Sequence, residues 1–267
     1  MKNTPTLFFL LLAALTFSAC DISAKATNTN ESFAKAKKNM YMKVYKDHKE
    51  TFYCKSRYEY RFNPIAKRKI NWIYPNADIY TPRVPITKKG KPNIRTERTE
   101  AEHIFPAYNF GHQMTCWRNG DEQCFTIAKD KKGRKYKKEY KGRKCCTKIS
   151  KTYRIMQADL HNLVPAIGEI NVDRLNYRYM ATNETLKGDY GQCEFKVRDR
   201  KAYPAAYTRG LISRTYLYMI DTYNIRMSKS EINLIQAWNK MYPVSDWERE
   251  RNRRITKIQG NSNRFVK

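Results

Sequence analysis

Two stretches decide how this chain folds: Ala101-Glu102-His103-Ile104-Phe105-Pro106-Ala107, and later Asp159-Leu160-His161-Asn162-Leu163-Val164-Pro165-Ala166-Ile167-Gly168-Glu169-Ile170-Asn171. The first reads as a strand that Pro106 ends. In the second, Gly168 and the polar residues after it suit the start of a short helix, from which Asn171 projects back. A hairpin followed by a helix gripping one cation is the expected geometry. Glu102 and His103 are adjacent, so on a strand they point to opposite faces. Both can serve one ligand if base and cation approach it from different sides.

Around this centre the chain reads as one mixed α+β domain with a helical final third. Phe33, Lys37, Met40, Tyr41, Val44 and Tyr45 recur at helical spacing, which predicts an amphipathic helix over 32–48. Thr51–Cys54 and Tyr58–Phe62 read as strands. Pro75, Pro82, Pro85, Gly90 and Pro92 make 74–95 a long extended loop. Tyr203 to Tyr223 carries an apolar stripe. Ser228-Lys229-Ser230-Glu231 and Ser245-Asp246-Trp247-Glu248 are capping boxes, with Gly260 as a C-terminal stop. The last helix bears Arg249, Arg251, Arg253, Arg254 and Lys257, a face for a polyanion or simply for water.

Residues 1–26 read as an export leader and 27–267 as the folded domain. Lys2 precedes the apolar run Leu7–Leu15, which is too short to span a bilayer, and small residues follow. Cut after Ala26, the chain is soluble in the periplasm or medium. Cut before Cys20, a lipid on Cys20 would tether it to the envelope. No other run is long enough to cross a membrane. Setting Cys20 aside, six of the seven cysteines remain, as Cys54, Cys116, Cys124, Cys145, Cys146 and Cys193. Six exported cysteines suit three disulfides, with about 15 pairings open. A zinc site at 116/124/145/146 is disfavoured, because it lacks a CxxC and adjacent cysteines are awkward tetrahedral ligands.

Charge bounds the partner. Lys and Arg number 53 against 25 acids, a formal +28 on 267 residues. That excess points to dense negative charge, either nucleic acid or an anionic membrane. The 20 Tyr and 11 Phe among the cations suit bases as well as phosphates. Residues 129–144 hold ten Lys/Arg against Asp130 and Glu139; ten minus two is +8 in 16 residues. With two Gly and no apolar period, this is an exposed basic loop or hairpin. It is either an electrostatic arm or a solubility insert.

These parts meet the needs of phosphodiester hydrolysis. A water must lose a proton, charge on the phosphoryl oxygens must be offset, and the leaving oxygen must be stabilised. Neutral imidazole at His103 suits the first near pH 7. A hard cation such as Mg²⁺ answers the others, and it prefers oxygen ligands, which Glu102 and Asn171 supply. His161, set among Leu160, Leu163 and Val164, reads as a buried histidine; Asn162 and Asn176 compete with Asn171.

Glu102 to Ala107, Phe110-Gly111-His112-Gln113, Cys116-Trp117, Asp159 through Arg174, Tyr190-Gly191-Gln192-Cys193 and Ala237-Trp238-Asn239-Lys240-Met241-Tyr242-Pro243-Val244 together resemble the bacterial endonuclease I family. The likeness runs in order over roughly residues 33–265. It implies an exported, largely sequence-indifferent nuclease with a ββα-metal finger. His103 would be the general base, and Glu102 and Asn171 the ligands of one Mg²⁺, a site that Mn²⁺ or Ca²⁺ could also occupy. DNA and RNA would be cut to 5′-phosphate ends by a monomer. The resemblance implies bridges Cys54–Cys193 and Cys116–Cys146, leaving Cys124–Cys145 to close a basic insertion at about 125–148. Ala101 stands where the family has Trp. The family's phosphate-assisting Arg falls near Glu122 by counting, so Arg118 or a cation of the insert, such as Lys131 or Lys132, would replace it.

Overall fold

The computed structural model describes residues 28–63, 67–74 and 76–267. The leader expected at 1–26, with Cys20, lies outside the described residues. Helix α1 (Phe33–Asn39) starts where Ser32 Oγ accepts the Lys35 N–H, and it continues as a π turn over Met40–Val44. Its buried stripe is Ala36, Met40 and Val44, so the helix ends four residues short of the expected 48. Thr51–Cys54 is a turn rather than the expected strand. Lys55, at φ 57°, bonds back to the Thr51 carbonyl at 2.8 Å. Two distant partners override the local β preference: Cys54 is bridged to Cys193, and the buried Tyr53 reaches across to Glu102.

Strands β1 (Tyr58–Asn63) and β2 (Arg68–Ile73) form an antiparallel hairpin. Residues 76–93 then run without helix or strand, and a buried carboxylate pins them. Glu169 accepts from the Tyr80 hydroxyl at 2.7 Å and from the Arg83 and Val84 N–H groups at 3.1 and 2.7 Å.

Strand β3 (Thr99–His103) carries the first decisive stretch. The chain then makes a long excursion: α2 (Ala107–Gly111), α3 (Thr115–Arg118), β4 (Phe125–Lys129), β5 (Lys135–Glu139), α4 (Arg143–Ile149) and α5 (Lys151–Gln157). It returns as β6 (Leu163–Ile167), antiparallel to β3 with His103 opposite Leu163 and Ala101 opposite Pro165. Helix α6 (Gly168–Arg174) follows directly. The two strands before the helix are therefore not a hairpin. Burial joins them, since every residue of β6 is sealed in the core.

The basic insert is a hairpin of β4 and β5, exposed along nearly its whole length. Asp130 makes its turn by accepting the Lys132 and Arg134 N–H groups, both at 2.9 Å. Bridges Cys116–Cys146 and Cys124–Cys145 fasten its base, and Cys54–Cys193 is the third. All six of these cysteines are thereby consumed, which removes the zinc reading.

A small sheet in the order β7 (Arg178–Tyr179), β9 (Lys201–Pro204), β8 (Phe195–Arg198) leads to three helices: α7 (Ala206–Tyr223), α8 (Lys229–Met241) and α9 (Asp246–Gln259). Ser228 and Ser245 cap α8 and α9 through the N–H groups of Glu231 and Glu248, worth about 1 kcal/mol each. The cations of α9 divide: Arg249, Arg253 and Lys257 are exposed, Arg254 is half-buried, and Arg251 turns inward. Arg251 is buried, donating to the carbonyls of Leu160, His161 and Leu163 at 2.8–3.0 Å. Arg253 and Arg254 pair with Glu250, and Arg254 also with Asp47.

Candidate active site

Alternation along β3 separates the two neighbouring functional side chains. His103 faces α1, where its ring stacks on Phe33 at 5.1 Å between centroids. Its Nε2 lies 2.8 Å from the Gln157 carbonyl oxygen. A carbonyl can only accept, so Nε2 carries the proton and Nδ1 holds the lone pair. His103 as a whole is 7% exposed, whereas His161 is fully buried with an unpaired Nδ1. Burial, followed by the nearby positive charge of Arg143, lowers the His103 pKa to about 3. The ring is therefore neutral and basic at Nδ1 throughout the physiological range. Asn162 braces the backbone just beyond: its side chain accepts from the Phe105 N–H at 2.7 Å and donates to the Phe105 carbonyl at 2.9 Å.

On the opposite face, β3 meets α6. Glu100 and Glu102 are two residues apart on the strand; Asn171 and Arg174 are nearly one turn apart on the helix. Asn171 Nδ2 donates to Glu100 Oε2 at 3.0 Å, and Arg174 donates to Glu102 Oε1 at 3.0 Å. Asn171 is thus hydrogen-bonded to Glu100 rather than to Glu102. The Glu102 carboxylate also accepts from the Tyr53 hydroxyl on the same Oε1, at 3.0 Å. Burial raises the Glu102 pKa, and Arg174 and Tyr53 work against that rise. Arg174 is itself fully buried and also donates to the carbonyls of His103 and Ile104 at 2.8 and 2.7 Å. One guanidinium therefore holds the Glu102 carboxylate and the backbone at His103 and Ile104.

The donor chemistry fits a hard cation. Both side-chain hydrogen bonds to Glu102 fall on Oε1, the backbone N–H of His103 also bonds that carboxylate, and the Asn171 amide donates through nitrogen, so the pair keeps oxygen lone pairs that suit a cation. Among the described residues no cluster of three or more His, Cys, Asp or Glu side chains forms a ready-made metal cage. One carboxylate and one amide would leave most of the coordination shell to water and substrate oxygen.

The structure places Arg118 at the end of α3, and Lys131 and Lys132 in the exposed hairpin turn. The cation it sets beside His103 is Arg143, the first residue of α4, whose guanidinium lies 5.9 Å from the Phe33 ring centroid. Gly142, at φ 75°, turns the chain from the hairpin into α4, a conformation that costs other residues energy. Cys145 and Cys146 then fasten that helix on both sides. His161 is structural: Nε2 meets the Asn261 carbonyl at 3.0 Å, and burial lowers its pKa to about 4. Sequence reasoning alone misses Tyr53, Gln157 and Arg174 as site residues. Of these only Arg174 has a visible signal, lying three residues after Asn171 on the same helix.

Comparison with known proteins fits this geometry. Residues 29–267 match the family described as Endonuclease I. The chain is 38% identical over 239 residues to an extracellular deoxyribonuclease of Aeromonas hydrophila, covering 88% of this chain and 89% of that protein. It is 37% identical to a periplasmic deoxyribonuclease of Aeromonas hydrophila, with 87% and 84% covered. It is 39% identical to Endonuclease-1 of Buchnera aphidicola subsp. Acyrthosiphon pisum (strain APS), with 67% and 68% covered. With a match over nearly all of the described residues, the chain belongs to the endonuclease I family.

Proposed function

We propose that the chain is an exported, Mg²⁺-dependent endonuclease of low sequence selectivity that hydrolyses DNA, and RNA as well, to 5′-phosphate ends. The observation that carries this reading is His103, neutral and anchored through Nε2 so that its lone pair is on Nδ1, beside Arg143. From that position Nδ1 takes a proton from water. The Gln157 carbonyl steadies the imidazolium that forms, because its hydrogen bond strengthens as the ring gains charge. Arg143 offsets charge gathering on the phosphoryl oxygens. Glu102 and Asn171 hold the Mg²⁺, with Glu100 orienting the Asn171 amide. When bound, that ion supplies Lewis-acid stabilisation of the phosphate and the departing oxygen. DNA as substrate, and the periplasm or medium as location, follow from the names of the relatives and the leader read at 1–26. Cutting before Cys20 would tether the same enzyme to the envelope. The chain acts as a monomer.

Incubation of purified protein with supercoiled plasmid, in Mg²⁺ or excess EDTA, tests the reading. Nicking in Mg²⁺ and none in EDTA is expected. Retardation without nicking in both would make the chain a basic binding protein instead. An added RNA lane and end-group analysis check the finer claims.

Arg143→Ala should lower kcat/KM by about 10²-fold, the scale of losing one transition-state donor. Arg118→Ala should leave kcat intact. Steady-state kinetics on a labelled oligonucleotide distinguish the two, and an unimpaired Arg143→Ala enzyme would remove that residue from the site. The hairpin acts earlier, in capture. Replacing Lys131, Lys132, Lys135, Lys137 and Lys138 by Gln should weaken DNA binding. For every phosphate that the variant leaves unneutralised, the slope of log K against log salt should flatten by about 0.9. An unchanged slope would make the hairpin a solubility feature.

A further inference from the structure

The wall of the cleft opposite α1 has surface features that phosphate binding alone does not require. Along β1, Tyr58, Tyr60 and Phe62 share one face, opposite Ile73, Asn71 and Lys69 of β2. Tyr58 is buried, but Tyr60 is 62% exposed and Phe62 58%. Among the described residues no ring or cation stacks on either, whereas Arg61 on the other face lies over Trp72 at 4.7 Å. Tyr60, Lys69 and Asn71 line one side of an open cleft of about 690 Å³. Phe33, Lys37 and Tyr41 of α1 and the turn after it line the other. The floor is Thr99, Ala101 and Asn171, so it ends at the proposed metal ligand, and Phe33 carries the cleft to the ring of His103. Lys37 Nζ sits 4.9 Å above the Phe33 ring.

Resting on the nuclease reading, we propose that this cleft is a nucleobase subsite. An unpaired base beside the scissile phosphate stacks on Tyr60, while Lys37 and Lys69 hold the flanking phosphates. Exposed aromatics singly are ordinary. Here an unstacked ring faces a groove with lysines on both walls and with Glu100 and Asn171 at its floor, and such interleaving of rings and cations is how proteins grip single strands. In a duplex both faces of each base are covered by its neighbours, so Tyr60 can reach only a base in a single strand or a frayed segment. Ala101 is small enough to leave the floor open. The consequence is a substrate preference set at the β1–β2 hairpin, distinct from the charge that captures any polyanion.

The test compares wild type, Tyr60→Ala and Tyr60→Trp on a short labelled single strand, on its duplex, and on the single strand with one abasic position beside the cut, all in Mg²⁺. Tyr60→Ala should raise KM for the single strand about tenfold or more, within the usual worth of a base–aromatic stack. It should leave kcat and the duplex KM within twofold, and Tyr60→Trp should restore the single-strand KM. The abasic strand should erase the difference between the proteins. Equal effects on single strand and duplex, or no effect on either, would overturn the subsite. A wild type inactive on every substrate would sink the nuclease reading instead. A 2-aminopurine single strand would then still report on the cleft, with quenching by wild type and not by Tyr60→Ala supporting it and equal quenching refuting it.

Discussion

His103→Ala should cut plasmid nicking by roughly 10²- to 10⁴-fold, the usual contribution of a positioned general base, while leaving DNA affinity nearly unchanged. The ring is neutral because burial and Arg143 hold its pKa to about 3. Removing it therefore subtracts no charge from a surface whose binding is dominated by phosphate contacts. The substitution deletes a group whose fixed partner is the Gln157 carbonyl. The paired measurement is nicking in Mg²⁺ and equilibrium DNA binding at two salt concentrations. Plasmid degradation that continues undiminished would remove His103 as the base. Parallel loss of binding and cleavage would mean the ring holds α1 in place through Phe33 rather than reacting.

Arg174→Ala should be among the most destabilising single changes available near the site. It strands the Glu102 carboxylate, 3% exposed, and frees the carbonyls of His103 and Ile104. Removing one partner of a buried pair costs about 3–5 kcal/mol, and at this chain length each kcal/mol moves the melting temperature by about 2–4 °C. A fall on the order of 6–20 °C should appear in a thermal melt followed by circular dichroism. Arg174→Lys should recover only part of it, since one ammonium cannot reproduce a planar fork that serves three acceptors. The double change Glu102→Ala with Arg174→Ala should be less harmful than the two single losses added together, because no charge is then left alone. A melt within 2 °C of wild type for Arg174→Ala would show that water reaches the site and replaces the guanidinium.

Much of the site is legible in the sequence because its signals are local. Pro106 after a short alternating stretch, Gly168 before a polar turn, and the two Ser-x-x-Glu boxes each act on their own neighbours, and the backbone follows them. What stays hidden depends on distance. Thr51–Cys54 has the composition of a strand, but the pull of Cys193 and Glu102 makes it a turn. Arg251 reads as surface charge on an amphipathic helix; three buried carbonyls in need of donors draw it inward. Arg143 stands in a run of ten cations, and nothing in that run marks the one that α4 aims at Phe33. The two stretches are expected as a hairpin before a helix, but nothing local in either one shows that β3 pairs with β6 across four helices and a ribbon.

That long detour between β3 and β6 also sets what evolution and engineering can alter. Lengthening a loop costs only about 0.6 kcal/mol per doubling, and the excursion is fastened at its base by Cys116–Cys146 and Cys124–Cys145. The β4–β5 ribbon is thus a cassette outside the reacting centre. Exchanging it for a sugar-binding or peptide-binding loop should retarget the enzyme to a new surface while α4 still delivers its arginine from the same two anchor points.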